Sequence, residues 1–523
     1  MAAFLPPLPM DRASENLWRG RGKDPRDLEA LIGRILSYIH LVLPGPPASR
    51  HAPGLYALLP HDHLDRLSLL PDALLRNVLT RLPVTDAART TALSRRWRGL
   101  WRSAPLVLVD AHLLPSSSSP EAQVQVPRDA ARRVTSAVSR ILAAHPGPFR
   151  CVHLTTSYME EFRGLLARWL QLLAVKGVQE LILANRPWPL VLGLPAAFFG
   201  MATLTRLYLA LWKFPDTAGL PRAASFPNLR ELGLCTVAME SRHMDFIISR
   251  SPVLEILCIQ ANLLMDRLTL ASRSIRCVQL IGASDLEIVV DEAPQLEHLI
   301  MRQSFTRKGP GSHKRIKIGH APALSILGYL EPELHTLQIG NTIIKTGTKA
   351  SPSTMVPTVK ILGLKVRFGV RNEAKILPCF LRCFPNVERL HIESKKTAET
   401  TGKLNLKFWE ESGAIECIRS HIDLMIFQNF RGDRCELSFL KFFLENARML
   451  TRLAIVCVNG SFSSLAEANA KVKPLFDTKW ASNCCKLLLF ESAFAEGQGF
   501  EMQNFERGSN FSVRDPFAVI VGA

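Results

Sequence analysis

One short pattern returns along this chain from about residue 178: an apolar residue, two others, an apolar residue, one other, an apolar residue. It reads VQELIL at 178–183, LTRLYL at 204–209, LRELGL at 229–234, LEILCI at 254–259, IRCVQL at 275–280, LEHLIM at 296–301, LSILGY at 324–329, VKILGL at 359–364 and VERLHI at 387–392. LHTLQI at 334–339 also fits, and reads as a degenerate or inserted unit. The first six starts lie 26, 25, 25, 21 and 21 residues apart, and the next interval is 28. Such spacing predicts stacked copies of one small structural unit, because a unit with an exposed apolar face must be covered by its neighbours.

The intervals fall in the range of leucine-rich repeats, roughly 20–29 residues. The last two apolar residues of each motif, such as Leu207 and Leu209, lie two apart on a strand and share a face, while Tyr208 between them points the other way. The predicted fold class is therefore α/β: parallel strands stacked into a solenoid, with helices or irregular segments returning on the opposite side. Leu207→Asp would put an unpaired charge into that core at a cost of several kcal/mol. Strand residues on the outward face form the candidate target-binding surface, with Arg206, Tyr208, Arg230, Gln279 and His298 leading and Glu180, Glu231, Gly233, Glu255, Cys258 and Ile300 beside them. Between Arg302 and Lys317 a basic stretch with Gly309, Pro310 and Gly311 reads as an inserted loop that explains the 28-residue interval. It is either a solvated loop or a contact for an acidic or phosphorylated segment.

A compact helical module precedes the repeats. Pro71 sits near the start of a helix that carries Leu74, Leu75, Val78, Leu79 and Leu82, and Pro83 stops it. Thr85 or Asp86 can cap a second helix through Leu93, and Ser94 a third bearing Trp97, Leu100 and Trp101. Chains under ~40 residues seldom fold alone, so part of this apolar surface must cover another domain or another protein. The stretch LSLLPDALLRNVLTRLPVTDAARTTALSRRWRGLW resembles an F-box in the form common in plant F-box/leucine-rich-repeat proteins. The elements that carry the resemblance are Leu70-Pro71-Asp72, the Leu74/Val78/Leu79 stripe, Leu82-Pro83, the run from Asp86, and Leu93-Ser94-Arg95-Arg96-Trp97. It implies docking on the Skp-type adaptor of a cullin–RING ubiquitin ligase, and assigns Leu67, Leu70, Pro71, Leu74, Val78, Leu79, Leu82 and Trp97 to the adaptor-facing or module-core set.

After the repeats, 414–457 reads as an alternating strand (Ile422, Leu424, Ile426), a glycine turn, a helix with Phe439, Leu440, Phe443 and Leu444, and another repeat-like strand, LTRLAI. This region resembles the FBD of plant F-box proteins and reads as an α+β cap on the last repeat. The expected organisation is a disordered tail over 1–26 and an amphipathic helix over 27–45, packed on its own protein or offered to a partner. An F-box follows over 63–106, then a linker and helix over 107–148, leucine-rich repeats over 149–395, the FBD-like region over 404–465 and an irregular tail over 466–523.

The remaining chemistry is bland. The 523-residue chain has 64 Lys and Arg against 46 acids, a net charge of +18. The basic residues are spread along it, so nucleic acid is not expected as a partner. A second reading, a repeat scaffold outside any ligase that uses this charge on nucleic acid, predicts steep salt dependence. Eleven cysteines without a CxxC pair fit a reduced compartment, cytoplasm or nucleus. The N-terminus lacks secretory-signal features, and the uncharged run from Pro187 is broken by prolines and glycines, so no membrane segment is expected. No HExxH, GxSxG, P-loop or GxGxxG motif occurs. His61 and His63 read as chance neighbours in a polar loop, and Cys379 and Cys383 as buried thiols. The sequence thus predicts no cofactor, no metal and no catalytic residue, and a target protein of unknown identity.

Overall fold

The computed structural model describes residues 67–114, 126–186, 192–492 and 505–518, apart from breaks at 222–223, 263, 283–285, 303–313, 333, 398–400 and 402–403, together with residues 19–20, 24 and parts of 33–47. His61, His63, the serine run at 116–119 and the tip of the basic loop lie outside these residues. Of the 1–26 tail only 19, 20 and 24 are described, and 19–20 are helical. In the predicted helix over 27–45, residues 33, 35–37 and 39–42 are helical. Its Leu36, Ile39, Val42 and Leu43 are buried, so this stripe packs on its own protein. Burial, then the charge of Arg186, holds His40 down at about 4.

The chain forms two compact units, Met1–Leu254 with Ala261–Leu264 and Glu255–Gln260 with Met265–Ala523. The first opens with three helices, α1 (Asp72–Leu79), α2 (Val84–Arg89) and α3 (Arg95–Ser103), with a 3-10 turn at Thr90–Ala92 between the last two. Ser94 caps α3 by accepting from the Trp97 amide at 3.4 Å. The residue at the start of α2 is Pro83, not Thr85 or Asp86: its fixed φ sets the chain up for a helix that begins at Val84, two residues earlier than a Thr85 cap would allow.

Strand β1 (Leu106–Val109) follows directly, then α4 (Arg128–Ala144), β2 (Phe149–Leu154), α5 (Arg163–Val175), β3 (Glu180–Ala184), β4 (Arg206–Ala210), β5 (Glu231–Cys235) and α6 (Ser241–Arg250). The strands pair in parallel in sequence order. The supposed linker after residue 107 therefore begins with a strand of the sheet. Apolar residues recur at helical spacing on α4 (Ala131, Val134, Val138, Leu142) and α5 (Leu166, Trp169, Leu170, Leu173), and these are buried. The residue after several repeat strands turns left-handed: Leu211 (φ 62°) and Thr236 (φ 52°) here, Gly282 (φ 65°) further on.

In the second unit the strands first alternate between two sheets. Strands β6 (Ile256–Gln260), β8 (Cys277–Ile281), β10 (His298–Arg302) and β12 (Ile326–Leu330) stack in parallel in one. Strands β7 (Arg267–Ala271), β9 (Glu287–Glu292), β11 (Lys314–His320) and β13 (His335–Ile339) stack in the other, closed by the antiparallel β14 (Thr342–Ile343). The return side of these repeats is thus a sheet rather than the expected helices or irregular segments. The 21-residue intervals explain it: a strand covers in five residues a length that a helix needs about twice as many to span. LHTLQI is β13, a return strand and not a degenerate repeat. The basic stretch is likewise partly strand, with Lys314, Arg315 and Lys317 on β11.

From β15 (Ile361–Val366) the spacing lengthens and helices return: α7 (Arg371–Arg382), β16 (Arg389–Ser394), α8 (Leu406–Glu410), α9 (Glu416–Ser420), β17 (Leu424–Phe430), α10 (Arg434–Asn446), β18 (Arg452–Cys457), α11 (Leu465–Phe476) and β19 (Lys486–Glu491). Strands β15 to β19 continue the first sheet in parallel, so the region after the repeats covers the last strand by extending the same ladder. Its helix α10 starts at a reciprocal cap between Asp433 and Glu436, and Phe368, Trp409, Phe427 and Phe439 form its aromatic core. The expectation of an irregular tail over 466–523 is corrected by α11, β19 and a last helix, α12 (Phe505–Ser509). These elements are short, and their apolar residues are few enough to leave no periodic signal. No described helix is long and apolar enough to cross a membrane.

Candidate partner-docking surfaces

In the three-helix module two sets of apolar residues separate cleanly. Leu75, Leu79, Val84, Ala87, Trp97, Leu100 and Ala104 are buried. They close a core whose lower edge is the repeat sheet: Pro83 bridges in parallel to Val107 of β1, and Arg150 of β2 donates to the Thr80 carbonyl at 3.3 Å. The second set has no cover among the described residues. Leu67 is 56% exposed, Leu69 82%, Leu74 52% and Leu93 68%. Burying one leucine is worth about 1.5–3 kcal/mol, so four of them hold several kcal/mol in reserve for a partner.

Arg96 of α3 organises this surface. Its guanidinium pairs with Asp72 at 2.7 Å and donates to the carbonyls of Ser68 (2.6 Å) and Leu70 (2.7 Å). It thereby pins the segment carrying Leu67, Leu69 and Leu70 against the start of α3, just beyond Leu93. Of the residues assigned from sequence, Leu67, Pro71 and Leu74 are exposed, and Leu70, Val78 and Leu82 are half-buried. Leu79 and Trp97 are buried in the module's own core, on two helices that pack against each other, and offer no surface. Leu69 was not among the residues assigned from sequence, and Leu93 entered only as part of a motif. Both are apolar residues just outside a helix stripe, where periodicity gives no reason to place them. The surface is also basic, with seven arginines against two aspartates between residues 67 and 104.

The outward face of the repeats differs from expectation. Arg206 is taken up by a cross-strand ladder, 2.7 Å from Glu231 and 3.2 Å from Glu180. Tyr208 is buried, its hydroxyl bonded to Glu231 and its ring lying over Gly233, where an added Cβ would come within 2.1 Å. Arg230 is exposed. Gln279 and His298, expected to face solvent, are buried beneath the chain's own C-terminal segment 505–518. Gln279 donates to the Phe505 carbonyl at 2.7 Å, and His298 Nδ1 to the Gly508 carbonyl at 3.2 Å. Further along the same face, Arg302 donates to the Pro516 carbonyl at 2.5 Å. His391 Nε2 lies 3.0 Å and Arg389 3.3 Å from the Asp515 carboxylate. Phe517 inserts among Ile300, Ile326, Tyr329 and Ile361.

Burial alone would raise the Asp515 carboxyl, but its hydrogen bond from His391, with the charges of His391 and Arg389, holds it below the usual carboxylate range. A signal for this cover was present in the sequence: Ile300, Ile326 and Ile361 occupy positions of three successive motifs that should face water.

Among the described residues no group of three or more His, Cys, Asp or Glu is placed to hold a metal ion. Cys379 and Cys383 are buried on α7, and burial pushes the Cys383 thiol up to about 12.

Comparison with known proteins matches this architecture piece by piece. An F-box domain model matches residues 67–108, the module with the uncovered leucines. A model described as "FBD-associated F-box protein At5g56370, LRR repeats" matches 166–392, and an FBD model 410–455. The chain carries an F-box, leucine-rich repeats and an FBD, in that order. Relatives from Arabidopsis thaliana include F-box/FBD/LRR-repeat protein At5g22660, 24% identical over 81% of this chain and 96% of its own length. F-box/LRR-repeat protein 13 is 24% identical over 76% of this chain and 91% of its own length. F-box/LRR-repeat protein At3g26922 is 28% identical over 45% of this chain. The F-box includes β1's first residues, which fits the shared core at Pro83 and Val107, and the FBD holds β17, α10 and most of β18.

Proposed function

We propose that this protein is the substrate-recognition subunit of an SCF-type cullin–RING ubiquitin ligase, with no catalytic residue of its own, acting in the cytosol or nucleus. The F-box docks on a Skp-type adaptor through Leu67, Leu69, Leu74 and Leu93, and the repeats hold a target protein. The chemistry is done elsewhere in the complex: holding the target near the ubiquitin donor raises the effective concentration of its lysines. The observation that carries this reading is the quartet of uncovered leucines on a module whose own core is already closed. Skp-type adaptor binding follows the F-box, and the module's excess of arginines suits an acidic face on the adaptor.

The test is a pull-down of the purified adaptor with the chain carrying Leu69→Asp and Leu74→Asp. Both residues are exposed, so circular dichroism and melting stay as in the wild type while adaptor capture is lost. Capture that survives in a folded double variant removes the proposal.

A further inference from the structure

The C-terminal segment lies across the face on which a repeat protein presents its binding residues, and it does so with side chains of an unusual order. Asp515 offers one carboxylate oxygen to His391 and Arg389, and the other accepts from the amides of Phe517 (3.1 Å) and Ala518 (3.2 Å). Pro516 fixes the backbone between them. Phe517 is then delivered into the apolar patch, its ring 4.9 Å from Tyr329 and 5.5 Å from His391, with the Arg302 guanidinium 5.5 Å from its centroid. A cationic, hydrogen-bonding corner sits beside an isoleucine-lined slot, and the tail fills one with an aspartate and the other with an aromatic residue two positions on. Upstream, Phe511 lies under the Arg276 guanidinium at 3.9 Å, so a second aromatic residue adds reach without setting the register.

We propose that this face is a peptide groove that reads an acidic residue followed two positions later by an aromatic one, and that Asp515 and Phe517 hold it in the resting chain until a target segment of the same chemistry displaces them. The partner is thus a protein carrying an Asp-x-Phe-like segment, and the proposal rests on the substrate-receptor reading. Two features support a replaceable occupant over a fixed part of the fold. The tail reaches the face with side chains and carbonyls rather than by adding a strand to the sheet, since α12 and the turns after it make no ladder. The groove residues, Arg302, Arg389 and His391, come from repeat strands whose own core side is complete without the tail: Leu299, Leu390 and Ile392 are buried on the opposite face. Tethering gives the tail an effective concentration on the order of millimolar. A free peptide of equal intrinsic affinity therefore competes poorly, and a target must bring further contacts.

The experiment titrates a fluorescent peptide of residues 505–518 into the full chain. With Asp515→Ala and Phe517→Ala in the chain, its own tail no longer competes, and the peptide binds at least tenfold more tightly than to the wild type. Adding Arg302→Ala and His391→Ala removes that binding. Equal, weak binding to wild-type and tail-disabled chains with unchanged melting overturns the proposal. Should the tail-disabled chain fail to fold, wild-type protein serves: an excess of 13C-labelled peptide speeds hydrogen exchange in the chain's own 505–518, and a peptide lacking the aspartate and phenylalanine does not. A tail whose exchange is untouched by the peptide also overturns it. Adaptor capture through Leu69 and Leu74 is measured separately, so a groove that fails leaves the ligase reading standing, and lost adaptor binding leaves the groove measurable.

Discussion

His391 Nε2 donates to the Asp515 carboxylate at 3.0 Å across 124 residues of sequence. One side chain is on the strand of the last repeat motif and the other on the C-terminal segment, and the bond ties the tail to the outward face of the sheet. Its energetics have a sign. A carboxyl held below its ordinary value in the folded chain stabilises that state fully above the unfolded value of about 4, and the stabilisation is lost as pH falls through the depressed value. Asp515→Asn keeps the shape and removes the charge, costing the tail about 1.5–3 kcal/mol of charge-assisted hydrogen bonding. At pH 7 the variant's segment 505–518 exchanges its amides faster than the wild type's, and the gap narrows below about pH 4. A gap that holds constant down to pH 3, with the fold intact by circular dichroism, contradicts this account of Asp515.

Two leucines six residues apart differ sharply in burial. Leu75 is fully buried while Leu69 is 82% exposed. Leu75→Ala lowers stability by about 2–5 kcal/mol, whereas Leu69→Ala changes it by under about 0.5 kcal/mol and weakens adaptor capture. Denaturant melts of both variants, set beside a pull-down, decide it. Equal destabilisation by both would mean Leu69 packs inside the chain.

Arg96 makes its contacts as a fork. Arg96→Ala gives up two hydrogen bonds to carbonyls, worth about 1 kcal/mol each, and an ion pair to Asp72 that is exposed enough to add little. Stability falls by about 1–2 kcal/mol on those grounds, and adaptor affinity falls with it because Leu67 and Leu69 lose their anchor. Arg96→Lys restores less than half of the affinity, since an ammonium cannot reach Asp72, Ser68 and Leu70 from one point. Full rescue by lysine would show that charge alone matters there.

Gly233 has no room for a side chain because the Tyr208 ring fills it. Gly233→Ala costs about 1–3 kcal/mol through overpacking. In a chain already carrying Tyr208→Ala the same change costs much less, a coupling that a double-mutant cycle measures directly. Additive effects would place the strain elsewhere.

The elements that recur were legible from sequence and those that occur once were not. Every motif from VQELIL to VERLHI is a strand of a parallel sheet, because two apolar residues two apart on one face admit little else. The three helices of the F-box were legible too, the first and third from Pro71 and Ser94 at their starts, while Pro83, read as the stop of the first, proves to open the second in place of Thr85 or Asp86. The return sheet of β7, β9 and β11 was hidden because strands and loops share polar residues there. Its trace lay in spacing, 21 residues against 25, which is a statement about length rather than composition. Periodicity puts Gln279 and His298 on the outward face but says nothing about which distant segment lies on it. Only the misplaced isoleucines at 300, 326 and 361 hinted at a cover, and nothing in their neighbourhood named residues 505–518 as its source.

The bridge between Pro83 and Val107 has a mechanical result. A domain strung on a flexible tether samples many bearings, and its partner's reach is set by tether length. Here β1 begins at Leu106, directly after α3 ends at Ser103, and the bridge ties the helical module to that strand, so the module is joined to the sheet without a flexible tether. Lengthening the chain at residue 105 would loosen that join.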